Sequence, residues 1–177
     1  MLKILAILLI KRAEKRLGVA LDYTRHIAQT DIGLLTRYNR IFGFLDPNLK
    51  TTPLAYHAAR LRGAIAADCG TCVEAEINLA KLSKLDKQTI SDLITGNYEA
   101  LPPEIIAVAE LTDAVTARRE DAPQAREIVR QQFGEEGLIE LSYAMNGAAL
   151  LPGIKRAMGY ATACDLGLMA NLAKGKT

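Results

Sequence analysis

Apolar residues recur along the chain at intervals of three and four, and the stretches that keep this rhythm are separated by glycine and proline, so the pattern predicts helices throughout. The first block runs from about Leu2 to Arg16 and ends near Gly18. A second, from about Ala20 to Phe42, carries Ile27, Ile32, Leu35 and Ile41 at helical spacing before Gly43 and Pro47 break the chain. Thr52 followed by Pro53 starts another helix, because threonine caps free amides and proline is tolerated at the first helical position. On it Leu54, His57, Ala58, Leu61 and Ile65 share one inward face, with Arg60 and Arg62 off that face. Asp68 is the expected cap of the next helix, which places Cys69 and Cys72 in its first turn or just beyond and Val73, Glu76, Ile77 and Ala80 along one side. Further helices are expected over 87–95, about 103–119, 123–133 and 135–151. Pro152 and Gly153 then kink or break the chain, and apolar periodicity resumes from Ile154 to about Leu172.

About eight helices result, and composition agrees with them. Half of the 177 residues are apolar and 24% are charged, which suits one compact all-α domain over residues 1–177 with a core of its own. Alanine and leucine abound while aromatics are few, with no tryptophan, a balance that favours helix over strand. The 22 Lys and Arg offset 20 Asp and Glu and are scattered, so no basic stripe marks a nucleic-acid partner.

The apolar run Ile4–Ile10 resembles the start of a signal sequence. It is too short to span a membrane, is followed by Lys11, Arg12, Glu14, Lys15 and Arg16, and has no small-residue cleavage site. It reads as a first helix docked on the core or on another subunit, with a membrane-surface helix as the alternative. A cytoplasmic location is therefore expected.

Three cysteines are too few for a disulfide scaffold, and a close pair in a reducing compartment points to metal or redox work. Cys69 and Cys72 lie three apart on one helix face, where a helix start favours a thiolate and a reversible disulfide is within reach. From Cys72, Glu76 lies about 40° round the helix and Glu74 about 200°, so Glu76 shares the cysteine face. A zinc site would need about four ligands, with Cys164, His26 and His57 recruited by folding, and an inert buried pair is the other alternative. His26 and Cys164 are taken as structural, and no cofactor or metal is expected.

The stretch LDPNLKTTPLAYHAARLRGAIAADCGTCVEAEINLAKLSKLDKQTISDLITG and the later LSYAMNGAALLPGIKRAMG resemble the alkyl hydroperoxidase D and carboxymuconolactone decarboxylase superfamily. The resemblance covers about 45–159 and leaves 1–42 as additional N-terminal helices. The peroxidase branch carries a glutamate twelve residues before the first cysteine and a histidine four residues after the second. Here His57 and Glu76 occupy those two places in exchanged order, and Thr71 stands where some members have another histidine. A carboxylate at Glu76 would raise the Cys72 thiol unless His57 is protonated or holds it.

The resemblance implies a thiol peroxidase in which Cys72 attacks a hydroperoxide, Cys69 resolves the sulfenic acid as a disulfide, and His57 with Glu76 relays the proton. It also implies a dithiol electron donor, of protein or lipoyl type, and a homo-oligomer of three or more subunits. Two alternatives stay open: a disulfide reductase without peroxide turnover, and a non-catalytic oligomeric binding protein that responds to redox state. The decarboxylase branch is a weaker fit, since it works without a cysteine pair.

Overall fold

The computed structural model describes residues 2–45 and 50–175, which form nine α-helices and no strand. Pro47, the expected breaker after Gly43, lies outside the described residues.

Three helices form an N-terminal lobe: α1 (Leu2–Leu17), α2 (Asp22–Thr30) and α3 (Ile32–Asn39), followed by a 3-10 turn over Arg40–Phe44. The single block expected from Ala20 to Phe42 is thus divided. Asp31 is extended at φ −153° and its carboxylate accepts the amide of Leu34, so a capping side chain ends one helix and starts the next. Ile10, Tyr23, Ala28, Leu35 and Tyr38 make a small apolar cluster that also takes up Leu151 and Met158.

The body consists of α4 (Pro53–Ala66), α5 (Gly70–Leu82), α6 (Lys87–Thr95), α7 (Pro103–Thr112, continued as a π-helix over Asp113–Arg118), α8 (Pro123–Ala157) and α9 (Leu166–Lys174). Thr52 caps α4 through the amide of Ala55, with Pro53 in the first turn, as the sequence predicts. Helix α4 runs through the middle of the body, and its small residues let neighbours come close. A Cβ on Gly63 would lie 2.3 Å from the carbonyl oxygen of Met145 on α8. A central helix has no solvent face, so Arg60 is buried and Arg62 largely so, contrary to the expectation that both stand off the buried face. Each is satisfied by a carboxylate: Arg62 makes two bonds of 2.8 and 2.9 Å to Asp113, and Arg60 binds Glu76.

Gly134 leaves helical geometry inside α8 at φ 72° and ψ 178°, where a break was expected. Pro152 does not end the helix, because its ring is buried and that burial offsets one lost hydrogen bond. The stop comes at Gly159, whose φ of 79° permits the paired bonds Tyr160 N to Lys155 O and Gly159 N to Arg156 O, each 3.0 Å. The helix expected from Ile154 to Leu172 is therefore interrupted, and α9 restarts at Leu166 under an Asp165 cap.

Candidate functional site

The chain turns sharply from α4 into α5. Asp68 is not the cap of α5; it adopts φ 48° and its carboxylate accepts the amide of Cys164 at 2.9 Å. Cys69 is the N-cap residue instead, with its backbone extended at φ −134°. The non-helical stretch before α9 lies directly against it, with Gly70 N donating to Thr162 O at 3.1 Å. Cys69 is wholly buried, whereas Cys72, in the first turn, is half-buried and faces a cavity of about 680 Å³.

The electrostatics divide the two thiols. Cys69 is drawn down to about 5, first by a hydrogen bond from the Cys72 thiol, then by Thr71, the Cys72 amide and the charge of Lys155, which together outweigh burial. Cys72 is pushed up, chiefly because it holds the proton shared with Cys69 and because it is desolvated. The pair therefore shares one proton and one negative charge near neutral pH.

Lys155, on α8, is a site residue that sequence reasoning missed. It is 6% exposed, lies 5.6 Å over the Tyr23 ring and hydrogen-bonds to Thr71 Oγ1. An ammonium only donates, so the Thr71 oxygen accepts, and its own hydroxyl proton is free to point at Cys69 Sγ, 3.7 Å away. No carboxylate among the described residues pairs with this buried cation. No local signal marks it, because a lysine near a helix C-terminus is ordinarily solvated and its burial here is set by helices distant in the chain.

His57 and Glu76 are both buried, as expected, yet they do not meet. Glu76 takes a two-pronged ion pair from Arg60, with Nε to Oε2 and Nη2 to Oε1 each at 2.7 Å. Arg60 also donates to Tyr56 Oη at 2.9 Å. It is thus Arg60, one turn along α4 from His57, that holds the carboxylate beside Cys72. His57 Nε2 lies 2.8 Å from Ser83 Oγ, and its Nδ1 is buried without a partner. Burial, and after it the Arg60 charge, lowers His57 to about 4, so the ring is neutral at physiological pH. The clue to Arg60 lay in α4 itself: two arginines in an apolar helix that has no acid of its own must find carboxylates elsewhere.

Across the cavity, Tyr23 and Tyr38 join hydroxyl to hydroxyl at 2.5 Å, and burial raises both phenols. Among the described residues no three His, Cys, Asp or Glu side chains gather as a metal ion would require. Glu74 is off the site, and Cys164 packs at the edge of the core with its thiol raised by burial and by Asp68.

No family model, curated protein or solved structure matches this chain. No helix among the described residues is long and apolar enough to cross a membrane.

Proposed function

We propose that the chain is a dithiol redox enzyme that reduces hydroperoxides at Cys72 and resolves the product with Cys69. The observation that carries this reading is the arrangement of the pair: Cys72 opens onto the cavity, and Cys69, buried behind it, shares its proton and is drawn down. The resemblance of residues 45–159 to the alkyl hydroperoxidase D superfamily supports the same assignment.

Cys72 passes its proton to Cys69 and attacks as the thiolate: an S–O bond forms with the distal peroxide oxygen, the O–O bond breaks, and the departing alkoxide takes the proton from Cys69, giving an alcohol and leaving Cys69 as the thiolate. The Cys69 thiolate then attacks Cys72 Sγ and expels hydroxide, which takes up a proton as water and leaves a disulfide. An external dithiol donor, of protein or lipoyl type, supplies two electrons to restore the pair. Thr71, polarised by Lys155, steadies the Cys69 thiolate in place of a His57–Glu76 relay. Glu76 acts through Arg60, which neutralises it beside Cys72, and His57, bonded to Ser83, stays outside the proton path.

Three cysteines are too few for a disulfide scaffold, and a close redox pair among them fits a cytoplasmic location. Exposed leucines on α1 (Leu2, Leu5) and α9 (Leu166, Leu168) are the surfaces a homo-oligomer would cover.

Reduced protein mixed with hydrogen peroxide or an organic hydroperoxide should lose the Cys69 and Cys72 thiols, keep Cys164, and turn over with a dithiol donor. Cys72→Ser should stop both, and unchanged thiols in the unmodified protein would sink the reading. The low-lying Cys69 thiolate stabilises the reduced pair and makes its disulfide more oxidising, which weighs against the alternative, a disulfide reductase. Fast oxidation of the pair by disulfides, with hydroperoxide reaction at background, would select it.

A further inference from the structure

Hydrogen peroxide needs the space of one or two waters, and the cavity above Cys72, at about 680 Å³, offers room for about twenty at roughly 30 Å³ each. Its walls are mainly aliphatic: Leu9, Ile10 and Leu17 from α1, Leu35 from α3, Leu79 from α5 and Leu151 from α8. Water in such a space forfeits hydrogen bonds, and an apolar body that displaces it gains free energy.

Charge is confined to a few of the lining residues. Cys72 and Thr71 line the cavity with the buried Lys155, and the Arg60–Glu76 pair is closed on itself. Arg16 also lines the cavity, is exposed, and makes no ion pair among the described residues. An aliphatic cavity with a reactive sulfur in its wall and an exposed, unpaired guanidinium where it meets solvent matches a long apolar chain that ends in a carboxylate.

We infer that the cavity takes the acyl chain of a fatty-acid hydroperoxide, with the carboxylate on the exposed Arg16 and the peroxide brought to Cys72. This assignment rests on the peroxidase reading of Cys72. The distal peroxide oxygen goes to Cys72, the O–O bond breaks, and the fatty acid leaves as its hydroxy acid. The two electrons come from the Cys69 and Cys72 pair, which the external dithiol then reduces. The wall that sets this preference comes from α1 and α3, in the additional N-terminal helices, so substrate choice is built by a part of the chain separate from the helices that carry the thiols.

Binding and chemistry are tested separately. By calorimetry, decanoate should saturate the reduced protein at one equivalent per chain. Arg16→Glu, at an exposed position, should weaken decanoate by about tenfold while 1-decanol binds as before. In stopped flow, a hydroperoxide of linoleic acid should oxidise Cys72 at least about tenfold faster than tert-butyl hydroperoxide, a preference worth about 1.4 kcal/mol. Ala13→Trp, which fills the cavity from α1, should bring that ratio toward one in a variant whose helical circular dichroism is unchanged.

Absence of saturable decanoate binding overturns the acyl-chain assignment, and decanoate affinity indifferent to Arg16→Glu overturns the carboxylate placement. Decanoate binding with every hydroperoxide inert overturns the peroxidase reading and leaves an acyl-binding cavity. Equal rates for the two hydroperoxides, with decanoate bound, overturn the substrate class alone.

Discussion

The body and the N-terminal lobe solve the burial problem in opposite ways. In the body α4 is surrounded, its buried charges are matched one to one, Arg60 with Glu76 and Arg62 with Asp113, and Gly63 lets α8 approach to backbone contact. The lobe has five buried side chains in its own cluster, leaves Leu2, Ile4, Leu5, Leu8 and Leu9 of α1 exposed, and meets the body across a cavity. The thiols are mounted on the tightly packed half, and their access is controlled by the loosely packed one. Changes in the body should therefore act on stability and thiol chemistry, and changes in the lobe on access.

The largest contrast should come from packing. Gly63→Val drives two methyl groups into the Met145 carbonyl, and a cost above about 5 kcal/mol is expected, enough to leave no cooperative urea transition. Leu5→Ala on the exposed side of α1 should shift the same transition by less than about 0.5 kcal/mol. Next in size is the ion pair beside the site. Glu76→Ala leaves the Arg60 guanidinium buried without its carboxylate and should cost about 3–5 kcal/mol, whereas the double change Arg60→Met with Glu76→Leu should recover most of that. A double variant as unstable as the single one would mean that packing, not charge, dominates there.

The same contrast explains what could be read from sequence. Helical class, the Thr52-Pro53 start, the glycine break at Gly134 and the inward turn of His57 and Glu76 follow from local pattern, and local pattern is all they depend on. Partners were not legible, because they are set by helices distant in the chain. Arg60 and Glu76 are sixteen residues apart, and Thr71 and Lys155 are eighty-four apart. The division at Asp31 was readable from an acid ahead of an apolar run, and the stop at Gly159 from a glycine after Lys155 and Arg156; continuous apolar periodicity masked both. Asp68 has the chemistry of a cap, but its left-handed backbone turns the carboxylate to Cys164 and leaves the helix start to a cysteine.

Acid should expose the body's weak point before the lobe's. His57 is held near 4 in the folded chain against about 6.5 when unfolded, so the unfolded state binds the extra proton between those values. Stability is complete above about pH 6.5 and falls as pH drops toward 4, by on the order of 3 kcal/mol in all. Urea unfolding across this range should show that slope in the parent and a shallower one in His57→Gln, which keeps a donor for Ser83 and cannot take up charge. Equal slopes would mean that the proton enters the folded state at His57 without penalty, through the free Nδ1.

The smallest effect tests the seam between the two halves. Lys155 touches Thr71 on the body side and the Tyr23 ring on the lobe side, and its charge is one of several causes that draw Cys69 down to about 5. Lys155→Met should raise the midpoint of thiolate ultraviolet absorbance by about one unit, or about 1.4 kcal/mol, and Lys155→Arg should restore much of it. Leu35→Ala in the lobe should leave that midpoint in place while enlarging the cavity. A shift of equal size in Leu35→Ala would show that the lobe sets the thiolate through desolvation. A Lys155→Met midpoint equal to the parent's would leave the Cys72 thiol, the Thr71 hydroxyl and the Cys72 amide as the groups that draw Cys69 down.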